Sequence, residues 1–353
     1  MQYDIMIFDY AKKFYTTEEY PALAYQRQQW ASVKPFASLK ILDATPVFRN
    51  TVLKYEALEA AGASLTIGIS DVMPHDNNIV NRLRESGIRV VHSTQDQPVC
   101  QDIILDCAGA FSHWQARFGI SELTRSGAHV YANAGKPVFL ADEGKIKRIE
   151  TCLGTGDGFF RAMEKLGYTD WKDKRILVFG SGKVGTGIII KATRKGAVVD
   201  VVTEPSTITP SVSKLICSCV DCNDIDAVRT ILKEAQVVVT ATGFKGVVSK
   251  YGMVSELIEK GTLLANMGVE DEFGDTFPSS SVLYEKHPLN FMLEEPTQMK
   301  YIDATMALHN AGAQYLINHP NETGLIKPSD EMENNIIEIT RQKGLISEEL
   351  ELI

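Results

Sequence analysis

Long apolar runs are missing from this 353-residue sequence, in which no segment approaches the ~18 uncharged apolar residues that a membrane-spanning helix requires. Basic residues are outnumbered by acidic ones, 36 to 45, and a formal net charge of −9 offers no basic surface for nucleic acid. The amino-terminal stretch MQYDIMIFDYAKKF lacks the basic and apolar segments of a secretory signal. We therefore expect a cytoplasmic protein that binds neither membranes nor nucleic acids.

The sequence also gives no sign of a disulfide framework. Its six cysteines fit the reduced thiols of a cytosolic protein better than a set of disulfide bonds. Three of them, Cys217, Cys219 and Cys222, lie close together in ICSCVDC. They could offer three thiolates to a metal, but a fourth ligand at a standard spacing is absent and the segment alternates like a β-strand. We predict plain strand thiols and no metal site.

What the chain does contain is an ordinary globular composition, 44% hydrophobic and 23% charged, which is enough for two domains. From residue 40 onward, short apolar runs alternate with amphipathic helical stretches. The runs 39–45, 64–70 and 101–109 are typical of strands, and 51–62 is typical of a helix closed by glycine. This alternation predicts an α/β fold in which helices cover both faces of a mostly parallel sheet.

A second alternating block begins at residue 175 and contains the sharpest local motif. The strand 175–179 leads into GSGKVG, then into a helix and a strand that ends at Glu204. Gly180, Gly182 and Gly185 permit a tight turn and let a pyrophosphate approach the helix N-terminus, where free amide groups favour an anion. Glu204 stands where an acid accepts hydrogen bonds from the adenosine ribose and repels a 2′-phosphate. The block predicts a Rossmann-type domain that binds NAD rather than NADP.

Two further strands of this block run into small or polar residues. They lie in AQVVVTATGFKG and GTLLANMGVEDEFGD, and the residues that follow them include Thr242, Gly243, Asn266 and Gly268. In a doubly wound sheet, such strand ends face the ligand crevice. For any one of these positions, a simple turn is the alternative.

The order and spacing of these and other motifs resemble adenosylhomocysteinase, the NAD-dependent hydrolase that splits S-adenosylhomocysteine into adenosine and homocysteine. The resemblance runs through nearly the whole chain and includes EYPALAYQRQQWASVKPF, ILDCAGA, GISELTRSG, VFLADEGKIKRIETCLGTGDG, ATGFKG, ANMGVEDE and LNFMLEEPTQ. It implies a doubly wound parallel-sheet substrate domain, residues 1–150 completed by 297–353, and an NAD-binding domain, residues 151–296. It also implies a homodimer or a larger homo-oligomer.

The resemblance assigns cofactor residues as well. It implies a site made of the phosphate loop, the ribose acid, the strand ends and a threonine cluster from the substrate domain: Gly182, Lys183, Val184, Glu204, Thr242, Gly243, Asn266, Met267, Gly268, Asn290, Thr124 and Ser126. Lys183 departs from the family, which has aspartate there. Thr151, where the family has asparagine, is predicted to belong to the same site. The family's carboxyl-terminal extension, which reaches a neighbouring subunit's cofactor, has no counterpart after GLISEELELI, so we expect weaker retention of NAD.

The family's catalytic positions, in contrast, are replaced. Its catalytic histidine falls on Pro46, its active-site aspartate on Cys107 and its glutamate on Leu123. The asparagine and lysine beside its nicotinamide fall on Ala141 and Ile146. Because each proton transfer of the hydrolase cycle needs a positioned acid or base, we predict that the hydrolase activity is lost.

Three charged side chains of the same stretch are the candidates for a replacement base. Lys145 and Lys147 flank the position of the family's lysine, and Glu150 keeps an acid where the family has aspartate. A lysine near the positive nicotinamide and another cation would have a lowered pKa and could act as a base. The alternative is a solvated turn whose charges face water. His113 and His309 are weaker candidates, because such histidines more often lie at the surface or have satisfied hydrogen bonds.

Three hypotheses follow from the sequence. The first is an NAD-dependent oxidoreductase that transfers a hydride to or from a carbon bearing a hydroxyl or amine of a small polar metabolite. The second is an adenosylhomocysteinase, or a related nucleoside-processing hydrolase, with rearranged catalytic groups. The third is a non-catalytic NAD-binding regulator.

Overall fold

The structure, a computed structural model, describes residues 4–353 and divides them into two units. Unit 1 comprises residues 4–149 and 299–350, and unit 2 comprises residues 150–298 and 351–353. Met1–Tyr3, part of the segment on which the prediction about export rests, lie outside the described residues. Across residues 4–353, no helix combines the length and apolar character needed to cross a bilayer.

The strands occupy the positions of the apolar runs. In chain order they are β1 Lys40–Asp43, β2 Ser64–Ile69, β3 Arg89–His92, β4 Gln101–Asp106, β5 Ala116–Glu122, β6 Pro137–Leu140, β7 Arg175–Phe179, β8 Val198–Thr203, β9 Ser218–Asp221, β10 Val237–Thr240, β11 Leu263–Asn266 and β12 Gly324–Ile326. All four residues of β6 and all four of β10 are buried. Strands covered by helices on both faces are continuously apolar, which is why runs such as VVVT predict them.

The helices follow the amphipathic stretches. They are α1 Asp4–Lys12, α2 Pro21–Val33, α3 Thr51–Ala60, α4 Asn77–Glu85, α5 Arg125–Val130, α6 Ile146–Arg148, α7 Thr155–Lys165, α8 Lys183–Arg194, α9 Pro210–Ser213, α10 Ile225–Glu234, α11 Val254–Glu259, α12 Met299–Asn318, α13 Asp330–Lys343 and α14 Ser347–Leu350. One turn of π-helix, Ile149–Gly154, joins α6 to α7. Regular α-helix therefore begins only at Thr155.

Both units are doubly wound. Among the described residues, unit 1 has a seven-stranded sheet in the order β12-β6-β5-β4-β1-β2-β3, and unit 2 has a five-stranded sheet in the order β11-β10-β7-β8-β9. Every paired strand is parallel to its neighbours. The strand order reverses between β1 and β4 and between β7 and β10, and these two points define the crevices in which such sheets bind ligands. The predicted fold class is confirmed.

The long helix α12 completes unit 1 from the carboxyl-terminal part of the chain. Its buried Asp303 accepts hydrogen bonds from the N–H groups of Ala22, at 2.8 Å, and Leu23, at 2.9 Å, in the first turn of α2. A Cβ atom on its Gly312 would lie 2.4 Å from Oγ of Ser121 on β5, so only glycine allows this approach. The carboxylate and the glycine together fix α12 between the sheet and α2.

Candidate functional site

The glycine-rich loop of unit 2 follows β7 directly and leads into α8. Gly180 has a φ of +96°, and a Cβ atom on it would lie 2.6 Å from the carbonyl oxygen of Ala241, after β10. A Cβ atom on Gly185 would lie 2.0 Å from the carbonyl oxygen of Gly180. Gly182 differs from both, because apart from its chain neighbours no described atom lies within 4 Å of a Cβ atom built on it. The protein therefore packs closely against the loop at Gly180 and Gly185 and leaves it open at Gly182. The open side leaves the first amide groups of α8 accessible to a ligand.

The acid at the end of β8 lies next to this loop. Glu204 is exposed, and the hydroxyl of Ser206 donates a hydrogen bond of 2.9 Å to its Oε1. Three hydroxyl groups tie its segment to the loop: Oγ of Ser181 lies 3.1 Å from Oγ1 of Thr203 and 2.7 Å from Oγ1 of Thr207. The predicted ribose acid is thus beside the predicted phosphate loop, with its carboxylate open to a ligand.

The turn after β10 contains Thr242 and Gly243, two predicted cofactor residues. Buried Glu272 accepts hydrogen bonds from the N–H and hydroxyl of Thr242 and from the N–H of Gly243. Asn266, at the end of β11, is also buried, and its side-chain amide donates to three carbonyl oxygens, those of Gly268, Glu270 and Lys286. These polar groups shape the crevice, but their hydrogen bonds are made within the protein.

The remaining predicted cofactor residues of unit 2 have varied surroundings. Lys183 is the exposed first residue of α8, and Val184 beside it is half-buried. Asn290 is buried against α7. A Cβ atom added to Gly158 of that helix would lie 3.0 Å from the Cβ atom of Asn290. Thr151 is half-buried in the π-helix. Of these four residues, only Lys183 is exposed.

Thr124 and Ser126 belong to unit 1. Thr124 caps α5, because its hydroxyl oxygen accepts the N–H of Gly127 at 3.1 Å, and the hydroxyl lies 2.8 Å from Oε1 of Glu122. Ser126 is exposed, and its hydroxyl lies 3.2 Å from that of Thr124. The hydroxyl of Thr124 therefore has a structural role as a helix cap, whereas Ser126 faces outward.

The three predicted catalytic side chains differ in their surroundings. Lys145 is exposed, and its Nζ lies 2.8 Å from Oδ1 of Asp330. The hydrogen bond and the charge of Asp330 raise the pKa of Lys145, so the predicted lowering of the lysine pKa is wrong for this residue. Lys147 is buried, and its Nζ donates to the carbonyl oxygen of Leu123 at 3.2 Å. Glu150 is half-buried in the π-helix of unit 2.

The amine of Lys147 therefore lies at the carboxyl edge of the unit 1 sheet, beside the ends of two strands. Leu123 follows β5 directly, and Asp142, whose Oδ1 is 3.8 Å from Nζ of Lys147, lies two residues after β6. The side chain of Lys147 is only 7% exposed. Of the two predicted lysines, Lys147 is thus the one whose amine lies at the carboxyl edge of the unit 1 sheet, where doubly wound sheets bind ligands.

A buried polar network lies at the same edge of unit 1. The ammonium group of Lys54 pairs with the carboxylate of Asp43 at the end of β1, and both side chains are fully buried. Burial lowers the pKa of His309 well below its usual value, with a further contribution from Lys54. Its Nε2 lies 2.7 Å from the carbonyl oxygen of Ser121, which can only accept, so Nε2 carries the proton and Nδ1 faces the hydroxyl of Thr45. His309 is a satisfied core residue.

A pair of buried carboxyl groups holds the loop after β4. Asp106 accepts hydrogen bonds from the N–H groups of Cys107 and Phe111 and from the hydroxyl of Tyr131. Glu122 accepts the N–H groups of the next residues of that loop, Ala108 at 3.0 Å and Gly109 at 3.2 Å. Burial, with the nearby charge of Glu122, raises the pKa of Asp106 to about 7. The loop that carries Cys107 therefore depends on two carboxyl groups that share a buried space.

We expect Asp106 to make the stability of unit 1 depend on pH. Its pKa is about 7 in the folded chain and 3.8 as an unperturbed group, so the folded state binds the proton more tightly. The stabilisation is complete below about pH 4 and is lost as the pH rises through about 7, by up to roughly 4 kcal/mol. Urea unfolding between pH 4.5 and 8 measures this slope. Asp106→Asn should flatten it, whereas Asp9→Asn, an exposed control in the same unit, should not. Equal slopes in all three proteins would contradict the prediction.

Comparison with known proteins agrees with this geometry. Residues 157–277 match the model of the S-adenosyl-L-homocysteine hydrolase NAD binding domain. An adenosylhomocysteinase from Thermoplasma acidophilum is 25% identical over 283 residues, which cover 70% of this chain. These matches support the resemblance to the adenosylhomocysteinase family. The match spans 66% of the length of that relative, just under two thirds.

Two solved structures of dipicolinate synthase polypeptides share the fold. The one from Bacillus halodurans has a TM-score of 0.51 at 11% identity, covering 82% of this chain and 99% of its own. The one from Bacillus subtilis has a TM-score of 0.52 at 13% identity, covering 80% of this chain and 97% of its own. At these identities the likeness concerns the fold alone.

NAD is the cofactor, and the residues of unit 2 fit it. The open face at Gly182 leaves room for a pyrophosphate at the N-terminus of α8. The exposed carboxylate of Glu204 is available to ribose hydroxyls, and its negative charge disfavours the extra phosphate of NADP. The residues predicted for the adenosine and pyrophosphate side of the site lie in the loop after β7, at the start of α8 and directly after β8: Gly180, Gly182, Lys183, Val184, Gly185 and Glu204.

The sequence did not reveal the buried charged residues that hold the two crevices in shape. Glu272 was not singled out, although it holds the turn at Thr242, and neither were Lys54 and Asp106. Their one sequence signal is a charged residue inside or next to an apolar run, as in ILD at the ends of β1 and β4. Such a residue needs a buried partner, but the sequence does not say which one.

Proposed function

We propose that the protein is an NAD-dependent oxidoreductase that acts on a carbon bearing a hydroxyl or amine group of a small polar metabolite. When bound, NAD supplies the hydride acceptor or donor. The substrate is proposed to bind at the carboxyl edge of the unit 1 sheet. The observation that carries the proposal is the amine of Lys147, which is held at that edge by the carbonyl oxygen of Leu123.

Lys147 is proposed to move the proton that accompanies hydride transfer. Oxidation of an alcohol removes a hydride from carbon and a proton from oxygen, and the neutral amine of Lys147 would take that proton. A buried lysine is suited to this role because its protonation responds readily to its surroundings. The carboxylate of Asp142, at 3.8 Å, would stabilise the ammonium ion that forms. In the reverse direction, the ammonium group would return the proton to the substrate.

The positions to which the resemblance assigns the hydrolase's acid and base groups carry other side chains, which supports oxidation without hydrolysis. Pro46 follows β1, Cys107 follows β4 and Leu123 follows β5, at the positions to which the resemblance assigns an acid or base. Cys107 is buried, and Leu123 presents a side chain without a titratable group. Elimination and addition of water would each require such a group. Hydride transfer requires only one such group, a single base.

The test is a substitution of Lys147 in an assay of cofactor reduction. Purified protein with NAD is screened against polar metabolites that contain secondary alcohols or amines, and the absorbance of the reduced cofactor is followed. With a substrate that reacts, Lys147→Met should lower kcat by roughly 10²–10⁴-fold, the usual contribution of a general base. An added primary amine such as methylamine should partly restore the rate of Lys147→Ala.

Substitutions of two other lysines serve as comparisons in this experiment. Lys327→Met removes an exposed lysine of the same unit, 3.3 Å from Glu143, and should leave kcat unchanged. Lys145→Met tests the other predicted base, which is exposed and paired with Asp330. A loss of rate in Lys145→Met, with Lys147→Met unaffected, would assign the proton transfer to Lys145 instead.

The second candidate function is hydrolysis of S-adenosylhomocysteine, favoured by the similarity to the adenosylhomocysteinase from Thermoplasma acidophilum. The same protein preparation is incubated with S-adenosylhomocysteine, and released homocysteine is measured with a thiol reagent. We expect no release above the rate of a heat-inactivated control. Release that depends on bound NAD would replace the oxidoreductase proposal by this one.

A further inference from the structure

Glu272 is a fully buried carboxylate of unit 2 that interacts with the turn after β10. Its Oε2 accepts the N–H of Thr242 at 2.8 Å and the hydroxyl of the same residue at 2.7 Å. Its Oε1 accepts the N–H of Gly243 at 2.8 Å and also lies 3.0 Å from the N–H of Thr242. Three donor groups therefore converge on one side chain, which is 0% exposed.

The same carboxylate also contacts the turn after the neighbouring strand, β11. A Cβ atom on Gly268 would lie 2.0 Å from Oε1 of Glu272, so this position has room only for glycine. The N–H of Gly268 points to Oδ1 of Asn266, at 3.2 Å. Glu272 is thus enclosed between the ends of β10 and β11, and it fixes the two turns relative to each other.

The charge of Glu272 has no cation beside it. All of its hydrogen-bonding partners are donors, so the side chain acts purely as an acceptor, as an ionised carboxylate does. In the described part of the chain, no lysine, arginine or histidine forms an ion pair with it. The adjacent Asp271 differs, because Nζ of Lys286 lies 2.9 Å from its Oδ2. Hydrogen-bond donors of the turn after β10, and no paired cation among the described residues, therefore surround the carboxylate of Glu272.

We propose that Glu272 positions the nicotinamide half of the cofactor site and that its charge favours oxidised over reduced NAD. In doubly wound dinucleotide-binding sheets, one half of the sheet takes the adenosine and the other takes the nicotinamide. Glu204 marks β7 to β9 as the adenosine half, which leaves β10 and β11 for the nicotinamide. The oxidised ring carries a positive charge and the reduced ring carries none, so a buried anion in this half stabilises the oxidised form selectively. The inference rests on NAD binding alone and is independent of the proposed reaction.

Calorimetric titration with three ligands tests the proposal without turnover. Oxidised NAD, reduced NAD and ADP are titrated into the wild-type protein and into Glu272→Gln. Removing the charge should lower the ratio of Kd for reduced NAD to Kd for oxidised NAD by roughly tenfold, because a buried anion attracts the positive oxidised ring and not the neutral reduced ring. The affinity for ADP should not change, because ADP uses only the adenosine half.

Matched variants separate the charge from the packing. Glu272→Asp keeps the charge and should keep the ratio, even if both Kd values rise. Glu270→Gln removes an exposed carboxylate from the same turn and should leave the ratio unchanged, because solvent screens that charge. Glu204→Ala should weaken ADP and both forms of NAD together.

Two results would overturn the proposal. Equal weakening of oxidised and reduced NAD in Glu272→Gln, with ADP unaffected, would mean that the carboxylate acts through packing alone. If Glu272→Gln does not fold, Glu272→Asp decides the matter, because a ratio that collapses although the charge is kept would exclude an electrostatic role.

Discussion

Replacing Asp43 by asparagine is expected to lower the free energy of unfolding of unit 1 by about 3–5 kcal/mol, because it leaves a buried charge without a partner. Asp43 and Lys54 are both fully buried, and they pair at the carboxyl end of β1. Oδ1 of Asp43 also accepts the N–H of Thr45 at 2.9 Å, so the carboxylate holds the first residues of the crevice. Urea unfolding, followed by a spectroscopic signal of unit 1, measures the loss.

The pH dependence of that loss identifies its cause. Burial lowers the pKa of Lys54, and the carboxylate of Asp43 opposes this lowering. Without the carboxylate, the folded state binds the lysine proton still less tightly than the unfolded state does, so stability rises with pH. The deficit of Asp43→Asn should therefore shrink as the pH rises from 7 towards 10, where the lysine of the unfolded chain also loses its proton.

A double substitution and an exposed pair provide the controls. Asp43→Asn combined with Lys54→Met should cost less than the sum of the single changes, because neither partner is then left as an isolated charge. Asp330→Asn breaks the exposed pair with Lys145 and should cost less than about 1 kcal/mol. Additive costs in the double variant would mean that the two side chains do not stabilise each other.

The fold could be predicted from the sequence because parallel strands that are covered on both faces are apolar throughout. The run LKILDAT contains β1 Lys40–Asp43, and AQVVVTATGFKG contains β10 Val237–Thr240. The glycine loop was accessible for a different reason: its spacing reflects steric limits that only glycine meets, as at Gly185 beside the carbonyl oxygen of Gly180. One local departure, the π-helix Ile149–Gly154, has no sequence signal that we recognise.

The candidate site was accessible only in part, because the sequence does not specify which buried polar groups meet. Thr242 comes just after β10, at a strand end as predicted, but its partner Glu272 lies thirty residues later in the chain. Lys145 and Lys147 were equivalent candidates in the sequence. Two positions on a helix that are two residues apart point in nearly opposite directions, so one of the two had to face away from the sheet. The periodicity could not tell which one, since that depends on how α6 packs.

Gly182→Ala is expected to weaken NAD binding by roughly 100-fold, which corresponds to the loss of two charge-assisted hydrogen bonds of about 1.5 kcal/mol each. Apart from the residues directly before and after it, nothing in the described protein lies within 4 Å of the added methyl group, and the backbone φ of −68° suits alanine. The folded protein without cofactor should therefore keep its melting temperature. The methyl group instead occupies the space through which a pyrophosphate reaches the amide groups of α8.

Gly185→Ala is the matched variant, because it places the same methyl group three residues later, inside the protein. There the added atom would lie 2.0 Å from the carbonyl oxygen of Gly180, so the loop or α8 must shift. We expect a lower melting temperature of the cofactor-free protein, together with weaker NAD binding. Calorimetry for binding and thermal unfolding for stability distinguish the two variants. If Gly182→Ala lost stability as Gly185→Ala does, or bound NAD as tightly as the wild-type protein, the open side of the loop would not be the surface that holds the cofactor.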